Sequence, residues 1–111
     1  EAEQVRLIRQ IHDDMLSHLD QRITIDDLCH RYPINPTTLK DVFKAVYGTS
    51  IAAHLKAHRL ERAEQLLLES DASVADVARQ VGYESQSKFS TAFREQFGQL
   101  PKEYRKSHKP L

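Results

Sequence analysis

The stretch Ser73-Val-Ala-Asp-Val-Ala-Arg-Gln-Val-Gly-Tyr-Glu-Ser-Gln-Ser-Lys-Phe-Ser-Thr-Ala-Phe-Arg-Glu-Gln-Phe-Gly98 decides the fold. Ser73, with Asp76 three residues on, has the form of a helix N-cap, and Val74, Val77, Ala78 and Val81 recur behind it at helical spacing. Gly82 turns the chain and Ser85 offers a second cap. Phe89, Ala92, Phe93 and Phe97 then line the inner face of a longer helix, which Gly98 stops. A short helix, a tight turn and a second helix with a polar outer face make the helix-turn-helix layout.

The same pattern stands earlier in the chain. Thr24-Ile-Asp-Asp27 resembles a capping box, and Ile25, Leu28 and Cys29 form the stripe of a short helix that Pro33 ends. Asn35 and Pro36 restart the chain as N-cap and first helical residue. Leu39, Val42, Phe43 and Val46 form the inner face of the helix that follows, and Gly48 stops it. Thr24, Ile25, Leu28 and Cys29 match Ser73, Val74, Val77 and Ala78 at an offset of 49, whereas Leu39, Phe43, Tyr47 and Gly48 match Phe89, Phe93, Phe97 and Gly98 at 50. The extra residue falls in the turn, where it disturbs neither helical face.

Around these repeats, Val5, Ile8, Ile11, Met15 and Leu19 predict a first helix. A long helix is expected from about Ser50 to Glu69, and Pro101 opens a last short one through about Lys106. The expectation is one all-α domain over 1–111 with about seven helices. Two helix-turn-helix subdomains, 5–48 and 73–107, are joined by a linker helix, 50–69. One such unit is weak evidence for nucleic-acid binding, since three-helix packings are often only structural. A duplicated unit with a helical spacer is stronger. About 20 residues of helix span roughly 30 Å, near the ~34 Å of one DNA turn, so the two second helices can sit in neighbouring major grooves.

Composition agrees with a helical class: 40% of the 111 residues are hydrophobic and 29% charged, while three Gly and four Pro leave little for a turn-rich sheet protein. Net charge is zero, which alone does not suggest a nucleic-acid partner. Its distribution does: residues 1–35 carry net −3, 36–60 net +3, 61–84 net −4 and 85–111 net +4. The single Cys29 cannot form an internal disulfide, which fits a reducing compartment, and Cys29 reads as a small core residue. No apolar run approaches the 18 residues of a membrane span. The chain begins Glu1-Ala-Glu without an initiator Met, as a piece of a longer protein would.

Catalysis has no support, because no Ser/His/Asp arrangement, paired carboxylates or Gly-rich phosphate loop occurs. His54 and His58 lie four apart, a metal-ligand spacing, but no His-Glu-x-x-His pattern or neighbouring Cys completes a site, so neither a metal nor any other cofactor is expected. Tyr83, Tyr104 and the Phe89/Phe93/Phe97 stripe read as packing residues, and Arg59 and Arg62 as partners of ion pairs on the long helix.

If Leu39 and Phe43 point inward, then Pro36, Thr37, Lys40, Asp41 and Lys44 point outward. By the same argument Phe89 and Phe93 leave Gln86, Ser87, Ser90, Thr91 and Arg94 nearer the outer side. Lys44, Lys88 and Arg94 are placed for phosphates, as are helix N-termini, which bring in Pro36, Thr38 and Ser85.

Leu60-Glu-Arg-Ala-Glu-Gln-Leu-Leu-Leu68, Ser73-Val-Ala-Asp-Val-Ala78, Val81-Gly-Tyr-Glu-Ser-Gln-Ser-Lys-Phe-Ser90, Phe93-Arg94, Phe97-Gly98 and Pro101-Lys-Glu-Tyr-Arg105 occur in an order that resembles the AraC/XylS family of bacterial transcription regulators. The resemblance covers residues 8 to 106. It implies a monomeric seven-helix DNA-binding domain that regulates transcription at promoter or operator DNA, with RNA polymerase a further partner. It also implies an upstream effector or dimerisation domain and a place at the bacterial nucleoid in the cytoplasm. The family's base-reading positions fall on Thr37, Lys40, Asp41, Gln86, Ser87, Ser90 and Thr91. Gln86 suits adenine, Lys40 guanine and Asp41 a cytosine amino group. Asp41 and Thr91 stand where relatives carry Arg, which implies fewer phosphate contacts and a shallower salt dependence. The competing expectation is a helical protein-interaction module that has kept the fold and lost DNA contact.

Overall fold

Short polar side chains fix where the helices begin. Thr24 Oγ1 accepts from the Asp27 N–H at 3.0 Å while Asp27 Oδ2 accepts from the Thr24 N–H at 3.3 Å, a complete capping box. Ser73 accepts from the Asp76 N–H at 3.1 Å, but the Asp76 carboxylate takes the Arg79 guanidinium, so the second box is half made. Asn35 and Ser85 cap the two longer helices, accepting from the N–H groups of Thr38 (2.9 Å) and Lys88 (3.1 Å).

The computed structural model describes residues 2–109, and among these every regular element is a helix. The helices are α1 (Ala2–Leu16), α2 (Ile25–Arg31), α3 (Pro36–Tyr47), α4 (Ile51–Glu69), α5 (Val74–Gln80), α6 (Gln86–Phe97) and α7 (Pro101–His108). Residues 1, 110 and 111 of the expected domain lie outside the described residues. The chain forms two compact units, one ending at Lys56 and the other beginning at Ala57, so the boundary falls inside α4.

In the first unit Ile8, Ile11 and Met15 of α1, Leu28 of α2, Leu39 and Phe43 of α3, and Ile51 and Leu55 of α4 form the core. Cys29 is only partly buried, at the edge of this core. α1 stops at Leu16, short of Leu19. The His18 N–H turns to the Met15 carbonyl at 3.1 Å while the His18 ring meets the Asp14 carbonyl at 2.8 Å, so a side chain satisfies the group that a longer helix would have bonded. Leu19 packs on the core from the turn beyond. Asp14 joins α1 to the end of α2, accepting from the Tyr32 hydroxyl and the Arg31 guanidinium, each at 2.7 Å. These bonds, Tyr32 first, hold the Asp14 carboxyl below the usual carboxylate range.

In the second unit Leu60, Ala63 and Leu67 of α4 pack with Val77 and Ala78 of α5, with Val81 of the turn that follows it, with Phe89, Ala92 and Phe93 of α6, and with Tyr104 of α7. Phe89 and Phe93 are fully buried, a burial that contributes about 1.5–3 kcal/mol for each. Phe97 and Tyr83 pack against this core while partly exposed. α7 runs two residues past Lys106, and its last residue, His108, stacks on Tyr104 with ring centroids 3.9 Å apart. The end of α4 is held by cations from the chain's C-terminal part. Arg105 Nε donates to the Leu67 carbonyl at 2.9 Å, and Lys109 Nζ to the Ser70 carbonyl at 2.9 Å.

The turns explain the two offsets of the repeat. Residues 32–35 join α2 to α3, and residues 81–85 join α5 to α6. Gly82 in the longer turn has φ 90°, a left-handed conformation that costs a residue with Cβ roughly 1–2 kcal/mol. The shorter turn has no residue with positive φ and uses Pro33, with Tyr32 extended before it (φ −121°, ψ 147°).

Gly98 caps α6 at φ 81° with open space where a Cβ would sit, so Gly98→Ala should cost about 1 kcal/mol from strain alone and Gly98→Asn less, read from urea melts followed by circular dichroism. Asp14→Asn should lower Tm near neutral pH. Because folding depresses the Asp14 carboxyl, its contribution is present above the unfolded carboxyl's titration and is lost as pH falls through the folded one; the gap between variant and parent should therefore close in acid.

Candidate nucleic-acid interface

Burial of Leu39 and Phe43 turns the opposite side of α3 to solvent, where Pro36, Thr37, Lys40, Asp41 and Lys44 are all exposed. Thr38 is half-buried. On α6 the burial of Phe89, Ala92 and Phe93 leaves Gln86, Ser87, Lys88, Thr91 and Arg94 exposed, while Ser90 is half-buried at the edge of that face. Thr37, Lys40, Asp41 and Lys44 form one continuous stripe at i, i+3, i+4 and i+7, and Ser87, Thr91 and Arg94 form another at i, i+4 and i+7. Each unit therefore presents one polar helical face, and the sequence-predicted residues of that unit lie on it or beside it.

The helix N-termini are prepared to different degrees. Pro36 has no N–H, the Thr38 N–H is taken by Asn35 and that of Leu39 already reaches the Asn35 carbonyl, which leaves the Thr37 N–H for an external acceptor. On α6 Ser85 occupies the Lys88 N–H, so two groups, those of Gln86 and Ser87, point outward. The Ser85 hydroxyl oxygen is thereby engaged in the cap, a structural task the sequence also assigned to it.

Some cations are committed within the fold, and those on the outer faces of α3 and α6 are not. Arg31, Arg79, Arg105 and Lys109 are spent inside the fold, on Asp14, Asp76, the end of α4 and Asp71. Among the described residues, none pairs with the charged groups of Lys40, Lys44, Lys88 or Arg94, all exposed on α3 and α6. Reading charge blocks alone missed this division, because Arg105 and Lys109 count toward the basic C-terminal block yet bond backbone carbonyls. Arg62, expected in an ion pair, donates to Gln65 Oε1 at 3.5 Å.

The family described as a helix-turn-helix domain matches residues 28–107, which run from within α2 into α7. The chain is 34% identical over 96 residues to the HTH-type transcriptional regulator ExsA of Pseudomonas aeruginosa, covering 86% of this chain and 34% of that protein. It is 32% identical over 105 residues to the right origin-binding protein of Escherichia coli, covering 95% and 36%. The chain belongs to the AraC/XylS family. It thus spans about a third of the length of these curated relatives, the first of which is named a transcriptional regulator. Among solved structures, this AraC-type domain is similar to the C-terminal domain of AraT, a response regulator from Geobacillus stearothermophilus (TM-score 0.89, 28% identity, 95% of this chain and 88% of that one). It is also similar to the DNA-binding domain of AdpA, determined with a target DNA (TM-score 0.86, 28% identity, 91% of each). As an AraC-type DNA-binding domain it has none among its described helices that is long and apolar enough to cross a membrane.

Since the start of α3 depends on one side-chain acceptor, Asn35→Ala should lower the stability of the first unit by about 1 kcal/mol, whereas Asn35→Ser should retain most of it. Urea unfolding monitored at 222 nm, on the order of 10 μM protein, distinguishes the two.

Proposed function

We propose that this AraC/XylS domain binds double-stranded DNA sequence-specifically, with α3 and α6 entering successive major grooves, and so regulates transcription from a promoter or operator. The observation that carries the reading is that each unit exposes one polar face of a capped second helix, with its cations otherwise unspent. The sequence repeat and the length of α4 support bipartite recognition: 19 helical residues span about 28 Å, close to the ~34 Å of a duplex turn. Thr37, Lys40, Asp41, Gln86, Ser87, Ser90 and Thr91 are assigned to base edges. Lys44, Lys88 and Arg94, with the helix starts at Pro36, Thr38 and Ser85, are assigned to phosphates. RNA polymerase as a partner, an upstream effector or dimerisation domain, and a site of action at the bacterial nucleoid belong to the same proposal; the length of the relatives supports the missing domain.

A second reading, a helical interaction module that has lost DNA contact, is favoured by zero net charge and by exposed Asp41 in the middle of the α3 face. Anisotropy titrations against the DNA flanking the gene separate the two, since binding no tighter than to random duplex at low salt favours the module. Where specific binding is found, Gln86→Ala should relax base preference at one position at a cost of about 1–3 kcal/mol. Arg94→Ala should weaken all sequences alike and flatten the salt slope by about one. Equal effects of both substitutions would overturn this division of roles.

A further inference from the structure

His12 of α1 and His54 of α4 both belong to the first compact unit and lie 42 residues apart in sequence. Their Nε2 atoms approach to 2.9 Å. At that distance one ring must donate an N–H while the other accepts on a lone pair. Aromatic side chains of α3 hold both imidazoles. Tyr47 stacks on His12 with ring centroids 4.2 Å apart, and Phe43 meets the His54 ring edge-on at 5.4 Å. One bond thus ties the first helix to the start of α4, beside the last residue of α3.

A bond between two imidazoles responds unevenly to protons. The neutral pair shares one hydrogen between the two Nε2 atoms. A first added proton makes one ring an imidazolium, which still donates to the lone pair of its neutral partner, and a charged donor makes the stronger bond. A second proton puts a hydrogen on both Nε2 atoms, so the bond is lost and two like charges face each other in a half-buried contact. Asp13 Oδ1 lies 3.3 Å from His12 Nδ1, the nitrogen turned away from His54, and its carboxylate is 83% exposed, so water screens its attraction for the second charge. Asp13 and Arg9 also act on the Tyr47 hydroxyl, which burial pushes up, Asp13 in the same direction and Arg9 against it. On α4 itself His58 comes four residues after His54, beyond the boundary of the unit.

We propose that the His12–His54 bond is a proton-operated clasp of the first unit: it survives one added proton and parts on the second, which releases α1 from α4 and unseats the Tyr47 end of α3 in mild acid. The second proton is opposed only in the folded chain, where the rings touch. Below the ordinary imidazole range the unfolded chain therefore holds one proton more than the folded one, until the folded pair takes its second. Across that window the folding equilibrium of the first unit falls by up to about tenfold for each unit of falling pH, and recovers as pH rises. The clasp lies within one unit and does not rest on DNA binding.

The test follows the imidazole nitrogen resonances of the untagged 111-residue chain from about pH 8 to about pH 5, the range over which histidines charge. His12 and His54 should each report two steps at least about one pH unit apart, because coupled groups titrate as a pair, while His18, His30 and His108 each show one. Over the second step alone, hydrogen-exchange protection of the α1 amides should fall by up to about tenfold per pH unit, with the α5 amides of the other unit as reference. His54→Gln should reduce His12 to a single step, and His58→Gln should leave both steps in place. Independent single steps at His12 and His54, α1 protection that holds through the second step, or coupling lost in His58→Gln overturns the proposal. Should His54→Gln fail to fold, the curves and protection of the parent chain decide it.

Discussion

Burial of two side chains one turn apart, Leu39 with Phe43 in one unit and Phe89 with Phe93 in the other, sets the rotation of α3 and α6 about their own axes. An α-helix has no freedom to choose its outer face once its inner face is fixed, because residues four apart must share a side. The polar stripes of both helices are thus a consequence of apolar packing rather than a separate feature. Turning either helix by one residue would expose a phenyl ring and bury a lysine, and both changes are costly. The brace helices α2 and α5 serve the same constraint, since Leu28, Val77 and Ala78 complete the surfaces on which these rings pack.

Electrostatics is then a matter of placement rather than total. A chain with equal numbers of basic and acidic groups has no net charge to draw it to an anion. What it has is placement: Arg31, Arg79, Arg105 and Lys109 are committed to carboxylates and carbonyls, while Lys40, Lys44, Lys88 and Arg94 stand on the outer faces of α3 and α6. Asp41 sits within the first of these faces, between Lys40 and Lys44, and reduces its local positive charge. Whatever acidic surface this domain meets, specificity must come from side-chain shape and hydrogen bonding more than from attraction at a distance.

Seven helices were legible because their signals are local. The caps at Thr24, Asn35, Ser73 and Ser85, the stop at Gly98 and the 3.6-residue stripes all act within a turn or two of the residues that carry them. The ends of α1 and α7 were less legible, since the His18 ring takes the Asp14 carbonyl beyond α1 and His108 stacks on Tyr104 at the end of α7. Long-range pairs were not legible at all. Nothing in the sequence near Asp14 announces Tyr32, nothing near Arg105 announces the Leu67 carbonyl, and His12 gives no hint of His54. The outward faces of α3 and α6 could be read because an inner stripe implies an outer one; the half-buried positions of Thr38 and Ser90 could not, since an edge depends on the neighbouring helix.

The unequal joints between the helices of the two copies bear on how such a duplicated chain can drift. Every amino-acid replacement of a glycine adds a Cβ, so at Gly82 each missense change meets a backbone penalty, smallest for Asn and Asp. The joint before α3 has no left-handed residue, and Ile34 there occupies ordinary backbone. Random mutation therefore falls unevenly on the two halves. The later copy has one joint position where replacement strains the backbone, while the earlier joint is constrained by Pro33 and by Asn35, which caps α3.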